Sequence, residues 1–303
     1  MRASPAIAWY AALLLPRASA SFALPAAPAP APAGRGAPSS SSSSSLGMGG
    51  YDATVGTDPG APIQFFTTPG NTCPYAARTY IVLEELGLPF DLTEVSGRPK
   101  PDWYLKINPR GKVPAIRIPA LDDEIVYESA ICCEFLCDYV GGGGSPPELL
   151  PGGAVARARM RLLNDHCDNV FTRTQFTFLM NKEEDKDEGL REEMEEALLR
   201  YERALGGGEE GEGGWGGPYL LGGSFTLADV HLLPFVQRLT VSLRHFKGYE
   251  LPPDRFPRLL EWFALCSRRP SVQGAGLSEE KIVEIYTRFF EVDYGFGGLN
   301  ANK

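Results

Sequence analysis

Four consecutive glycines, Gly141–Gly144, and the Pro146-Pro147 pair behind them divide this chain into parts that no single helix or strand can bridge. Before the break, short apolar runs alternate with helical periods; after it, only helical spacing recurs. Ile63 to Phe66 reads as a strand, Pro74 to Leu86 as a helix stopped by Gly87, and Asp91 to Val95 as a second strand. A short helix around Asp102 to Ile107 follows. Ala115 to Ile118 and Ile125 to Tyr127 then form a hairpin around Leu121-Asp122-Asp123, and Ser129 to Tyr139 closes the order βαβαββα. Past the glycines, helices are expected from Val155 to about Leu179, and over Gly189–Leu205, Thr226–His245, Phe256–Cys266 and Ser278–Phe290. The expectation is an α/β domain over 61–140, a linker over 141–154, an all-α domain over 155–295 and a tail over 296–303.

The first sixty residues cannot join either core. Arg2, the apolar run Ala6 to Leu15 and the small residues Ala18-Ser19-Ala20 have the make-up of a signal peptide over 1–20. A Pro, Ala and Ser tract, with serine at every position from Ser39 to Ser45, fills 21–60 and lacks the apolar content to fold. A signal peptide followed by an acid-free, Ser-rich stretch resembles the bipartite presequences of algae with secondary plastids, with Phe22 close behind the cleavage site. Plastid delivery is therefore expected, with secretion or an endomembrane lumen as the alternative. The overall charge of −9 becomes −12 once Arg2, Arg17 and Arg35 of the acid-free first fifty residues are set aside. An acidic body without a basic stripe argues against nucleic-acid binding.

Six cysteines without regular spacing form no disulfide framework, and His166, His231 and His245 show no metal-ligand spacing with them, so no metal site is expected. Cys132, Cys133, Cys137, Cys167 and Cys266 lie on helical stretches and read as core. Cys73 differs, because it stands in the turn Asn71-Thr72-Cys73-Pro74-Tyr75 where a strand ends and a helix begins. Pro74 suits the first helical position, and a thiol just before it faces the unpaired amides of a helix N-terminus, which favour thiolate. A second thiol three residues on would make a dithiol pair, but that position is Ala76. The site is monothiol, so its chemistry needs a thiol from outside.

Asn181 to Glu188 is a charge run read as a solvated helix end, and the Gly- and Glu-rich Gly206 to Gly217 as a flexible linker. Thr226 and Asp229 have the spacing of a reciprocal helix cap. The Val113-Pro114 pair has two readings. A cis peptide there would turn the Val113 amide and carbonyl outward to pair with an extended peptide ligand, whereas a trans bond would make Pro114 an ordinary strand-edge proline.

The βαβαββα order, the Cys73-Pro74-Tyr75 opening, Asn108-Pro109-Arg110-Gly111-Lys112-Val113-Pro114, Glu128-Ser129 and Phe225-Thr226-Leu227-Ala228-Asp229 together resemble the glutathione transferases, over about Pro62 to Phe290. Lys100-Pro101-Asp102-Trp103 and Tyr127-Glu128-Ser129-Ala130 resemble the omega class, and Asp229 to Arg238 resembles the lambda class as well, with dehydroascorbate reductases as near relatives. The resemblance implies a thioredoxin-like N-terminal domain and an all-α C-terminal domain. It also implies glutathione as cosubstrate, with Glu128 on the γ-glutamyl ammonium, Ser129 on its carboxylate, Lys100 on the glycyl carboxylate, the Val113 backbone before Pro114 on the cysteinyl residue, and Tyr75 at the pocket rim. A second, hydrophobic site between the domains would be lined by Phe66, Tyr75, Arg173, Phe176, Phe235 and Arg238.

A cysteine in place of a serine or tyrosine implies glutathione-dependent thiol transfer: deglutathionylation of proteins or small conjugates, or reduction of dehydroascorbate, with Cys73 as nucleophile. A conjugating transferase and a non-catalytic ligand carrier are the alternatives. The partners implied are glutathione, a small electrophilic or disulfide substrate, glutathionylated proteins and a second copy of the chain in a homodimer.

Overall fold

A computed structural model of the protein describes residues 61–141, 149–207 and 215–291. The signal-like and transit-like segments, most of the glycine linker, the centre of the Gly/Glu-rich stretch and the C-terminal tail lie outside the described residues.

The first region is a four-stranded mixed sheet with strand order β2-β1-β3-β4. β1 (Ile63–Thr67) runs parallel to β2 (Phe90–Glu94) and antiparallel to β3 (Ala115–Ile118), which pairs antiparallel with β4 (Glu124–Tyr127) at the edge. The connections are α1 (Pro74–Glu85) between β1 and β2, the single turn α2 (Asp102–Leu105) before β3, and α3 (Ser129–Gly141) after β4. The pleat sends alternate side chains to opposite faces. Ile63, Phe65, Ile116 and Ile118 share a core with Ala76, Ala77, Ile81 and Val82 of α1 and with Cys132, Cys133 and Leu136 of α3. The other face carries Phe66 and Ala115, covered by Val95 and Tyr104.

Seven helices build the second region among the described residues: α4 (Ala154–His166), α5 (Thr172–Met180), α6 (Asp187–Gly206), α7 (Leu227–Lys247), α8 (Pro257–Cys266), α9 (Pro270–Ala275) and α10 (Glu279–Glu291). The helix expected from Val155 to Leu179 is interrupted by a π turn at Cys167–Phe171, whose wider winding separates α4 from α5. The sequence reading missed α9, because six residues opened by Pro270 and containing Gly274 are too short to show a period. The charge run is solvated except at Asp187, which takes two hydrogen bonds from Lys247 Nζ at 2.9 and 3.0 Å.

α7 is the central column, buried along most of its length. Its start is fixed as expected: Asp229 Oδ2 accepts from the Thr226 amide at 2.8 Å, completing a capping box. The other oxygen, Oδ1, takes the Leu220 amide at 2.9 Å and the Trp262 indole N–H at 2.8 Å. One buried carboxylate thus ties together the helix, the preceding turn and α8. α1 packs against α7 and α9, and Glu85 at its end receives both forks of Arg269, at 2.9 and 2.6 Å. These contacts seat the helical region on the helix that Cys73 begins.

Candidate active site

Cys73 is the N-cap of α1, extended in backbone (φ −76°, ψ 123°) and half-buried, with Pro74 as the first helical residue. Its amide donates to Thr68 Oγ1 at 2.9 Å, which fixes the turn from below. The Val113–Pro114 peptide is cis. Its carbonyl, from Val113, accepts the Cys73 thiol at 3.8 Å. Two segments forty positions apart therefore meet at the sulfur.

The charge state of the thiol differs from the sequence expectation. Burial pushes the Cys73 thiol up, while the Ala76 and Tyr75 amides and the Arg238 and Arg78 guanidiniums pull it down. Burial prevails, with Arg238 of α7 and Tyr286 of α10 both near enough to interact with the sulfur. The other five cysteines are buried, as read from their helical placement, and each thiol is raised in the same way.

The remaining polar candidates fall around the edge of the sheet. Ser129 is buried at the first position of α3. Glu128, just before it, holds a left-handed backbone with φ 73°. A non-glycine residue there is strained by a clash of its Cβ, and such strain concentrates at functional sites. Arg110 Nη1 reaches the Glu128 carboxylate at 2.8 Å on the exposed side. Lys100 Nζ donates to the Val95 carbonyl at 2.7 Å; burial and the nearby Arg98 lower its pKa, and Cys73 acts on it in the opposite direction.

Arg78 carried no role in the sequence reading, yet it is the hub of the site. Fully buried in the second turn of α1, it donates Nε to the His231 carbonyl at 3.0 Å, Nη1 to Ser129 Oγ at 3.2 Å, and Nη2 to Asp168 Oδ1 at 2.6 Å. The guanidinium also lies 5.0 Å from the Tyr75 ring centroid and 4.8 Å from that of Phe235. The available signal was a charged residue beside small ones in the first half of the helix, Ala76-Ala77-Arg78-Thr79. Its acid, Asp168, sits in the π turn and has no sequence pattern to mark it.

The expected hydrophobic site is brought together only in part. Tyr75 and Phe235 meet edge to face at 5.0 Å, and burial raises the Tyr75 phenol to about 12. Phe176 on α5 packs against Phe289 of α10 at 6.3 Å, while Arg173 is exposed on α5. Phe66 is a correction. It is buried on the far face of the sheet against Trp103 and Tyr104, at 6.3 and 5.8 Å, because strand alternation sends it opposite to Phe65. Arg238 is buried as well, its Nη2 donating to the Thr72 carbonyl at 3.1 Å, so its charge faces the Cys73 turn from α7.

A thiol at a helix start, a cis-proline opposite it and a helical region closing over both define a class of protein, and comparison with known proteins agrees. The N-terminal domain model of the glutathione S-transferases matches residues 72–138 and the C-terminal domain model residues 155–265. A probable cytosolic glutathione S-transferase, DHAR1, of Oryza sativa subsp. japonica is 30% identical over 210 residues, spanning 69% of this chain and 87% of its own. Glutathione S-transferase omega-1 of Sus scrofa is 27% identical over 204 residues, 67% of this chain and 76% of its own. Among solved structures, glutathione transferase Omega 3C from Trametes versicolor superposes with a TM-score of 0.65 at 28% identity, over 77% of this chain and 92% of that one. The chain belongs to the glutathione S-transferase family. Among its described residues no cluster of three or more metal-ligating side chains occurs, and no helix is long and apolar enough to cross a membrane.

Proposed function

We propose that this protein is a glutathione-dependent thiol transferase in which Cys73 is the nucleophile. The observation that carries the reading is a lone half-buried thiol at the start of α1, facing the Val113 carbonyl at 3.8 Å, in a chain of this family. In the first step the Cys73 thiolate attacks a mixed disulfide between glutathione and a substrate, forming a Cys73–glutathione disulfide and releasing the substrate as thiolate. A second glutathione thiolate attacks that disulfide, giving oxidised glutathione and regenerating Cys73. With dehydroascorbate the Cys73 thiolate adds to a carbonyl, and a first glutathione thiolate attacks the Cys73 sulfur so that the C–S bond breaks and ascorbate leaves with its electron pair. A second glutathione resolves the Cys73–glutathione disulfide as before. Relatives named as DHAR-type and omega glutathione S-transferases support a glutathione-dependent reaction.

Glutathione is held, in this reading, by Glu128 through its ammonium and by Ser129 through the γ-glutamyl carboxylate, with the amides opening α3 adding donors. Lys100 takes the glycyl carboxylate by leaving the Val95 carbonyl, and the Val113 backbone before Pro114 pairs with the cysteinyl residue. Tyr75, Phe176 and Phe235 supply the apolar wall for the second substrate. Delivery to a plastid is part of the same proposal. It rests on the N-terminal sequence and on relatives described as chloroplastic in Oryza sativa and Arabidopsis thaliana.

The test is turnover of hydroxyethyl disulfide and of dehydroascorbate with glutathione, wild type against Cys73→Ser, beside an aryl-halide conjugation assay. Activity that vanishes with the thiol supports the reading. Wild-type protein that only conjugates, or only binds glutathione, overturns it in favour of a conjugating enzyme or a carrier.

A further inference from the structure

Two buried guanidiniums face the Cys73 turn, and they differ in one respect. Arg78 has a carboxylate partner, Asp168, at 2.6 Å. Arg238 is 2% exposed and, among the described residues, its hydrogen bonds go to carbonyls: Nη1 to Pro234 at 2.8 Å within its own helix, and Nη2 to Thr72 at 3.1 Å, 166 positions away. No ion pair to Arg238 is found among the described residues. An arginine stays protonated in proteins, and a buried charge without an opposite charge is costly. The groups that act electrostatically on Arg238 are Cys73 from the head of α1 and Tyr286 from α10. Tyr286 is a phenol that burial pushes up, away from ionisation. This leaves the Cys73 sulfur as the one of the two suited to carry the compensating negative charge. The other groups coupled to that sulfur are Arg78, already neutralised, Lys100, turned to the Val95 carbonyl, and the phenol of Tyr104.

We propose that Arg238 is a positioning residue for the nucleophile: from the helical region it grips the carbonyl of the residue before Cys73, and its unneutralised charge stabilises the Cys73 thiolate. The inference rests on Cys73 as the reactive thiol of the function proposed above. It adds that α7, whose packing helps to bury the thiol, also supplies a charge that offsets that burial.

The experiment is alkylation of Cys73 in the full chain as a function of pH, by neutral iodoacetamide and anionic iodoacetate, with Cys73→Ser as background because the other five cysteines are buried. Arg238→Gln keeps a polar amide of shorter reach without the charge, Arg238→Lys keeps the charge without the fork, and Arg238→Met removes both. An opposite charge nearby shifts a titration by about one to three units. Alkylation below the thiol pKa is therefore expected to slow about tenfold or more in Arg238→Gln and Arg238→Met, and less in Arg238→Lys. The preference for iodoacetate should drop in the same order. A melting temperature lowered in Arg238→Met with wild-type pH profile and reagent preference in Arg238→Gln would mean a packing role and overturn the proposal. Because the readout is the thiol and not turnover, a shifted profile in a protein that fails the disulfide assay would sink the functional reading and leave this inference standing.

Discussion

Arg78 and Asp168 form an ion pair of 2.6 Å between the helix that follows the nucleophile and the π turn of the helical region, ninety positions later. The guanidinium is fully buried and the carboxylate side chain is 32% exposed. Removing the acid strands a buried cation, which elsewhere costs 3–5 kcal/mol; partial exposure of the acid reduces this. Asp168→Asn is expected to lower stability by about 2 kcal/mol, read from the urea midpoint. Arg78 also orients Ser129, so calorimetric glutathione affinity should weaken in Arg78→Met.

In the function proposed above, Glu128 sets a binding requirement against a backbone preference. Its φ of 73° suits glycine, and a Cβ there costs about 1 kcal/mol. Glu128→Gly is expected to hold or raise the melting temperature while raising the glutathione KM tenfold or more. Glu128→Ala should raise the KM as much without the gain in melting temperature, since both variants lose the Arg110 partner but alanine keeps the strain.

His166 supplies a pH dependence. Burial, followed by the Arg200 charge, pushes its pKa down to about 4, and its Nδ1 sits 3.0 Å from the Tyr201 hydroxyl. The folded protein holds the ring neutral while the unfolded chain binds a proton below about pH 6.5. Its contribution is therefore full above pH 6.5 and is lost as pH falls toward 4. Allowing for its half-exposed position, stability should drop by about 1–2 kcal/mol across that window, and chemical denaturation of His166→Gln should show a flatter curve there.

Asp229 is a fully buried acid whose loss should threaten the fold itself. Asp229→Ala leaves the Leu220 and Thr226 amides and the Trp262 indole without their acceptor in a buried setting. A loss of about 3 kcal/mol or more follows, visible as a lower melting temperature and a rise in near-ultraviolet signal change at Trp262.

The sequence by itself determined whatever depends on neighbours along the chain. The strand and helix periods before and after the glycine run, the Thr226–Asp229 cap, Pro74 at the first turn of α1 and a single thiol at its head all follow from short-range spacing, and the structure contains each. The tertiary structure alone decided which charges are buried and what faces them. Arg78 finds Ser129, Asp168 and the His231 carbonyl at separations of 51, 90 and 153 positions, and Arg238 reaches Thr72 from 166 away. Phe66 turned from the cleft because of its place in the pleat, and the Cys73 thiol rose because tertiary packing buries it against the pull of the helix-start amides. Local conformation is set by torsional and capping preferences within a few residues, whereas desolvation and charge pairing depend on surfaces that meet only after the chain has packed.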